Sequence, residues 1–233
     1  MKKTIGIIGG MGPLATSDLF RKIVEITDAK SDQEHVRVCI DNNTEIPDRT
    51  AAILSGGKDP VPEMAKSAVR LEGMGANVLI MPCNTAHYFY DRLTTFVDTP
   101  FLNMIEETAK EMKKKEIKKA GLLATDGTCR SGVYKKVFDA MGIEMCVPSS
   151  NRQRSVMDVI YKGVKAGNLS IDLTGFYEAM EELFADGAQT LVLGCTELPV
   201  AFDLFHIDRP NIDPTLVLAK SALRFVGARV KGE

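Results

Sequence analysis

An internal repeat is the feature that most constrains the fold. Residues 71–85 align with residues 183–197 without a gap, and this alignment places Cys83 on Cys195, 112 positions later. Further matches in the same chain order are Leu71 with Leu183, Leu79 with Leu191, Gly6 with Gly121, Gly12 with Gly127, and the segment at Pro100 with the segment at Pro210. Repetition of this kind indicates that one structural unit occurs twice. We therefore expect two similar halves.

Apolar segments alternate with amphipathic segments along each half, a pattern typical of α/β proteins with parallel sheets. The predicted strands are Thr4–Ile8, Val36–Ile40, Asn77–Met81, Ala120–Ala124, Ile143–Val147 and Thr190–Gly194. The predicted helices are Ser17–Asp28, Pro62–Glu72, Ser131–Met141, Arg154–Lys165, Ile171–Asp186 and Pro214–Val230.

Composition argues against several classes of protein. The 233 residues carry a formal net charge of −2, and the basic run Lys113–Lys119 is interrupted by Glu116 and Ile117, so we expect a solvated helix end and no nucleic-acid partner. No apolar stretch reaches the roughly 18 residues of a membrane span, so no membrane partner is expected. The five cysteines contain no CxxC pair, which favours reduced thiols and a cytoplasmic location over a zinc or disulfide framework.

Cys83 and Cys195 differ from the other cysteines because each directly follows an apolar strand and precedes polar residues, Asn84-Thr85 and Thr196-Glu197. Ligands of open α/β sheets bind beyond the carboxyl ends of the strands. Free N–H groups at such a strand-to-helix turn are expected to lower the pKa of a thiol and to favour its thiolate. If the two halves face each other about a pseudo-twofold axis, one thiolate would remove a proton from a carbon while the opposite thiol delivers another. Two equivalent cysteines therefore suit racemisation.

Other interpretations of these residues stay open. Cys39 and Cys146 lie inside apolar strands and are expected in the core, whereas Cys129 is undecided. His87 follows Cys83 by four residues, which would suit the nucleophile pair of a thiol hydrolase or amidotransferase. The glycines of GIIGGMGP do not have the GxGxxG register of a dinucleotide-binding loop.

Six ordered motifs give the chain a close resemblance to the aspartate/glutamate racemase family, whose members work without pyridoxal phosphate. They are IGIIGGMGPLAT (5–16), NNTEIPDRT (42–50), MPCNTAH (81–87), LLATDGT (122–128), GVKAGNL (163–169) and LGCTELP (193–199). The resemblance implies two flavodoxin-like domains related by a pseudo-twofold axis with the active site between them. The expected domains are 1–98 plus 211–233, and 99–210. The resemblance further implies a homodimer that needs no cofactor and no metal.

The resemblance also implies residue roles. Cys83 and Cys195 match the catalytic cysteines, and Asp48 and Glu197 match acidic residues near the two sulfurs. The residues that match substrate-binding positions are Arg49 and Lys165, on the substrate side-chain carboxylate, and Asn84, Thr85, Thr125, Thr128 and Thr196, around its other polar groups.

We therefore predict racemisation of aspartate, glutamate or both. The alternatives left open are a decarboxylase or maleate isomerase of the same superfamily, and a non-catalytic amino-acid-binding protein.

Overall fold

A computed structural model describes residues 2–233 and divides the chain into two compact units. The first unit comprises residues 2–107 and Thr215–Glu233, and the second is Thr108–Pro214. The domain limits expected from the sequence, 98/99 and 210/211, remain a prediction.

Within the described residues, seven parallel strands form two separate sheets. The strands are β1 (Thr4–Gly9), β2 (Arg37–Asn42), β3 (Val78–Ile80), β4 (Lys119–Ala124), β5 (Glu144–Cys146), β6 (Thr190–Gly194) and β7 (Asn211–Ile212). The sheet of the first unit has the order β2-β1-β3, and that of the second has the order β5-β4-β6-β7. Within each unit the first strand thus lies between the second and the third. This is the flavodoxin-like order, so the predicted fold class is confirmed.

Helices connect these strands. The α-helices are α1 (Pro13–Ile26), α2 (Arg49–Leu54), α3 (Val61–Gly73), α4 (Tyr90–Leu93), α5 (Met104–Lys114), α6 (Asp126–Ser131), α7 (Val133–Ala140), α8 (Ser150–Asp158), α9 (Thr174–Ala185), α10 (Glu197–Leu204) and α11 (Pro214–Phe225). Short 3₁₀ turns lie at Asp32–Glu34, Thr85–Phe89 and Thr94–Phe96. A π-helical turn, Val159–Val164, continues α8. Within residues 2–233 no helix combines the length and apolar character of a membrane span.

The core of each unit follows from its central strands. All residues of β1 and β6 are buried, as expected of parallel strands covered by helices on both faces. Two apolar clusters cover the two faces of the first sheet, one around Ile8, Leu71 and Met81 and the other around Ile5. One cluster in the second unit joins β6 to α9 and α10.

The repeat seen in the sequence appears as matched contacts. The Leu79 N–H donates to the Pro100 carbonyl at 2.8 Å, and the Leu191 N–H donates to the Pro210 carbonyl at 2.9 Å. The central strands also match, because a Cβ added to Gly121 would lie 2.8 Å from Cβ of Leu183, and one added to Gly6 would lie 3.3 Å from Cβ of Leu71, the equivalent leucine. The internal alignment therefore reflects equivalent packing in the two units.

Several predicted element limits change where glycine sets the backbone. The predicted helix Ser131–Met141 is two helices, α6 and α7, because Gly132 between them has a left-handed φ of 69°. The predicted tail helix to Val230 ends at Phe225, two residues before Gly227 with a φ of 79°. The predicted strand Thr190–Gly194 has the limits of β6.

Candidate active site

The Cys83 thiol lies at the carboxyl end of β3, beside the central strand of the first unit. The peptide N–H of Cys83 donates to the Met81 carbonyl at 2.9 Å, which turns the chain sharply after the strand. A 3₁₀ turn, Thr85–Phe89, follows. Cys83, Asn84 and Thr85 are all buried, so three residues singled out from the sequence belong to one turn of the first unit.

His87 fixes this turn through its ring nitrogens. Nδ1 lies 2.9 Å from the Cys83 carbonyl oxygen and therefore donates to it, while Nε2 accepts from the Met104 N–H at 3.1 Å. Burial lowers the pKa of His87 to about 4, although the bond to Cys83 opposes the shift. Both nitrogens of a neutral ring are thus committed to backbone groups. His87 does not pair with the Cys83 sulfur, which argues against a Cys–His nucleophile.

Arg49 and Asp48 lie at the N-terminus of α2, near the glycine turn after β1. The Arg49 guanidinium donates to the Pro47 carbonyl at 3.0 Å and to the Ile46 carbonyl at 3.3 Å. It also reaches the Met11 carbonyl in the glycine turn at 3.5 Å. The Arg49 side chain is half-buried. Backbone carbonyls therefore hold the positively charged guanidinium of Arg49 at the carboxyl end of the first sheet.

Asp48 caps α2, and its carboxylate accepts from the Ala51 N–H at 2.7 Å. The side chain is exposed. This contact gives Asp48 a structural role that the sequence resemblance did not suggest.

The glycine turn itself is tightly packed. Gly10 has a φ of 92°, and a Cβ there would lie 2.2 Å from the Asn43 carbonyl oxygen, so only glycine fits. The Thr16 hydroxyl accepts from the Gly10 N–H and donates to the Gly12 carbonyl, both at 3.0 Å. The turn holds its shape through its own polar groups.

In the second unit, three residues form a chain of polar contacts around the Cys195 sulfur. Cys195 follows β6 directly, and its Sγ donates to Oε2 of Glu197 at 2.9 Å. The other carboxylate oxygen, Oε1, lies 2.6 Å from Nζ of Lys165. Cys195 and Glu197 are 7% and 5% exposed, so a buried thiol and a buried carboxylate share one hydrogen bond. Lys165 lies 30 positions before Cys195 in the sequence, which gave no sign of the ion pair between Lys165 and Glu197.

The environment of Cys195 raises the pKa of its thiol well above the usual range. Burial is the largest cause, followed by the charge of Glu197 and the hydrogen bond to it, whereas Lys165 lowers the pKa. The expectation of a lowered thiol pKa at this turn is therefore wrong for Cys195, because burial and a neighbouring carboxylate outweigh nearby positive charge.

Lys165 reaches Glu197 from the end of the π-helical turn. Its N–H donates to the Ile160 carbonyl five residues earlier, at 3.0 Å. Its Nζ lies 5.6 Å from the centre of the Tyr161 ring, which adds a cation–π contact. With a side chain 30% exposed, Lys165 keeps contact with solvent while it pairs with a buried acid.

Three threonines line turns at the same end of the second sheet. Thr125 caps α6, where its hydroxyl lies 3.1 Å from the Thr128 hydroxyl and 3.3 Å from the Thr128 nitrogen. The Thr196 hydroxyl donates to Oε2 of Glu197 at 3.3 Å. All three are buried. They follow β4 and β6, two neighbouring strands.

Two residues near these turns were not identified from the sequence. Tyr134 is fully buried, and burial together with electrostatic interaction with the nearby Asp213 and Cys195 raises the pKa of its phenol well above the usual range. Gln153 donates through Nε2 to the Ala124 carbonyl and to Oδ1 of Asp126, both at 2.9 Å, and so holds the turn after β4. Neither residue lies in a recognisable motif, and only the fold brings them to the site.

The structure thus assembles the candidate residues into two groups, one in each unit. The first contains Cys83, Asn84, Thr85, Asp48 and Arg49. The second contains Cys195, Thr196, Glu197, Lys165, Thr125 and Thr128. Each group lies where the strand order changes direction, which is the usual ligand position in such sheets.

Comparison with known proteins identifies the family. The model of the family described as Asp/Glu/hydantoin racemase matches residues 8–222, nearly the whole chain. The chain belongs to this family. A broad specificity amino-acid racemase of Bacillus subtilis, RacX, is 28% identical over 232 residues, which cover 94% of this chain and 96% of the relative.

Solved structures agree with this assignment. The Picrophilus torridus aspartate racemase is 34% identical with a TM-score of 0.87, and the match covers 98% of this chain and 96% of the other. An aspartate racemase homologue from Pyrococcus horikoshii is 25% identical with a TM-score of 0.79, covering 97% and 100%. The glutamate racemase of Francisella tularensis, solved with D-glutamate, shares the fold at 18% identity and a TM-score of 0.71. The racemase family predicted from the sequence is confirmed.

Proposed function

We propose that this protein racemises an acidic amino acid, aspartate or glutamate, with Cys83 and Cys195 acting on opposite faces of the α-carbon. The observation that carries the proposal is the equivalence of the two thiols. Each follows the third strand of a repeated parallel unit, in a chain that belongs to a racemase family. A hydrolase needs one nucleophile, whereas inversion of a carbon needs a base on one face and an acid on the other.

The proposed reaction begins when one cysteine, as its thiolate, removes the α-proton. The resulting carbanion takes a proton from the thiol of the other cysteine on the opposite face. No atoms are gained or lost, and the two sulfurs exchange protonation states. Because Cys195 rests as a thiol bonded to Glu197, it starts as the proton donor, and Cys83 starts as the base. In the reverse direction the roles exchange, so that Cys195, now the thiolate, removes the α-proton and the Cys83 thiol delivers one.

Two cations support the choice of an acidic substrate. Arg49 presents a planar guanidinium that matches a carboxylate, and Lys165 carries an ammonium with three N–H donors, one of them toward Glu197. Positive charge also stabilises the carbanion-like transition state. We assign Asn84, Thr85, Thr125, Thr128 and Thr196 to the remaining polar groups of the amino acid, and we propose that Asp48 supports the Cys83 side of the reaction.

The test is incubation with L- and D-aspartate and L- and D-glutamate in deuterium oxide, followed by chiral chromatography and mass spectrometry. The unmodified protein is expected to interconvert enantiomers and to incorporate one deuterium at the α-carbon. Cys83→Ser and Cys195→Ser are each expected to abolish racemisation while exchange of one enantiomer persists. Cys146→Ser, in β5, is the control and should racemise normally.

Several outcomes would contradict this proposal. A Cys83→Ser or Cys195→Ser variant that racemises normally removes that cysteine from the mechanism. Turnover of maleate or loss of carbon dioxide from a substituted malonate, without racemisation, identifies a related isomerase or lyase. Saturable binding of amino acids without turnover identifies a binding protein. We further propose a cytoplasmic homodimer, which size-exclusion chromatography with light scattering and cell fractionation would test.

A further inference from the structure

A cavity lies in the Thr108–Pro214 unit, beside the turn that follows β4. Its volume is about 380 Å³, within the roughly 300–1,000 Å³ typical of small-molecule sites. The lining residues are Asp126, Cys129, Arg130, Val147, Pro148, Ser150, Gln153 and Arg154. They follow β4 and β5 or begin α8, so the cavity is at the carboxyl end of the sheet, where α/β proteins bind ligands. None of Cys195, Glu197 and Lys165 lines it.

The charges in this cavity favour an anion. Among residues 2–233 neither Arg130 nor Arg154 has a carboxylate partner, and the one bond of Arg154 runs from Nη2 to Oδ1 of Asn151 at 2.9 Å. Asp126, the single acid in the lining, already accepts from Gln153 at 2.9 Å. Ser150 is the first residue of α8, whose N-terminal N–H groups add partial positive charge.

We propose that this cavity binds the phosphate group of a small molecule. Two guanidinium groups offer up to ten N–H donors in two planar forks. A tetrahedral dianion with three or four acceptor oxygens can engage both forks at once, whereas a carboxylate has two oxygens and fills one. Val147 and Pro148 supply an apolar wall against which the organic part of the molecule packs.

The bound phosphate also stabilises the turn that carries Thr125 and Thr128. Asp126 lines the cavity and is the first residue of α6, and Thr125 is its cap. Gln153 lines the same cavity and bonds both Asp126 and the Ala124 carbonyl. A ligand that orders Arg130 and Gln153 therefore restrains both ends of α6.

The experiment is isothermal titration with inorganic phosphate, and separately with glycerol 3-phosphate, at constant ionic strength. Both are expected to bind saturably to the unmodified protein. In the double variant Arg130→Gln/Arg154→Gln, affinity should fall about tenfold or more, since two charge-assisted contacts are removed. Arg152→Gln is the control. Arg152 lies on α8, like Arg154, but it pairs with Glu178 and does not line the cavity. Its affinity should match that of the unmodified protein.

Hydrogen–deuterium exchange provides a second measurement. Phosphate should slow amide exchange in residues 125–131 of the unmodified protein and leave it unchanged in the double variant. Absence of saturable binding would overturn the proposal. So would binding that survives in the double variant, or that Arg152→Gln weakens equally. Because these readouts need no turnover, their result is independent of whether the protein racemises amino acids.

Discussion

Lys165 and Glu197 form an ion pair in which Nζ lies 2.6 Å from Oε1, and the same carboxylate accepts a hydrogen bond from the Cys195 thiol. The charge of the lysine therefore acts on the sulfur through a buried acid. In the first unit, the equivalent turn is held by His87, which bonds the Cys83 backbone and leaves the sulfur alone. The two thiols occupy equivalent strand ends in different chemical surroundings.

This arrangement predicts opposite effects of two substitutions on the Cys195 thiol. Glu197→Gln removes the negative charge that raises the pKa of Cys195, so the pKa should fall. Lys165→Met removes the positive charge that lowers it, so the pKa should rise. The measurement is the pH dependence of alkylation by iodoacetamide, with the Cys195 peptide followed by mass spectrometry. Lys162→Met is the control, because Lys162 forms an exposed ion pair with Asp158. If Glu197→Gln and Lys165→Met shifted the pKa of Cys195 in the same direction, the assignment would be contradicted.

The buried His87 predicts a loss of stability in mild acid. Its folded-state pKa is about 4 against an ordinary 6.5, so the unfolded chain binds a proton that the folded chain does not. The stability due to His87 is therefore complete above pH 6.5 and falls as the pH drops toward 4, by about 3 kcal/mol in all. Urea unfolding at a series of pH values measures it.

The variant His87→Gln should flatten that part of the pH profile. It should also lose about 1–3 kcal/mol at neutral pH, because it disturbs two buried hydrogen bonds. His206→Gln is the control, since His206 is exposed, and its profile should follow that of the unmodified protein. If His87→Gln lost stability between pH 6.5 and 4 as steeply as the unmodified protein, other groups would be responsible for the loss of stability in acid.

The raised pKa of the Cys129 thiol predicts that the protein loses stability in alkali. Burial, and secondarily the charge of Asp126, raises its pKa from 9.0 to about 12. Because the unfolded thiol ionises first, the stability due to Cys129 is complete below pH 9 and declines as the pH rises toward 12. Cys129→Ala should reduce this decline in thermal unfolding between pH 8 and 11. A decline equal to that of the unmodified protein would rule out this residue as a contributor.

Two glycines predict opposite changes in stability. A methyl group on Gly121 would lie 2.8 Å from Cβ of Leu183, so Gly121→Ala should destabilise by about 1–3 kcal/mol. Gly73, the last residue of α3, has open space around it, so Gly73→Ala should be neutral or stabilise by up to about 1 kcal/mol. Chemical denaturation of both variants decides the point, and equal effects would contradict the packing described.

The sequence was sufficient for features that depend on local pattern. The apolar runs predicted β4 and β6 closely, and the matched Leu79 and Leu191 both proved to be strand residues with equivalent proline partners. It was not sufficient for properties that depend on burial. Polar residues after Cys195 suggested a stabilised thiolate, but the fold places the Glu197 carboxylate within hydrogen-bond distance of the sulfur and buries both groups. Gln153 and Tyr134 likewise became visible only through tertiary contacts.

The unequal surroundings of the two sulfurs have a kinetic consequence for the proposed reaction. Mirror-image substrates have equal free energies in water, so thermodynamics fixes the equilibrium constant at one and requires the same kcat/KM in both directions. A cysteine in contact with a buried carboxylate and one without that contact need not react at the same rate. The difference must then appear as paired changes in kcat and KM, so that the enantiomer with the higher kcat also has the proportionally higher KM.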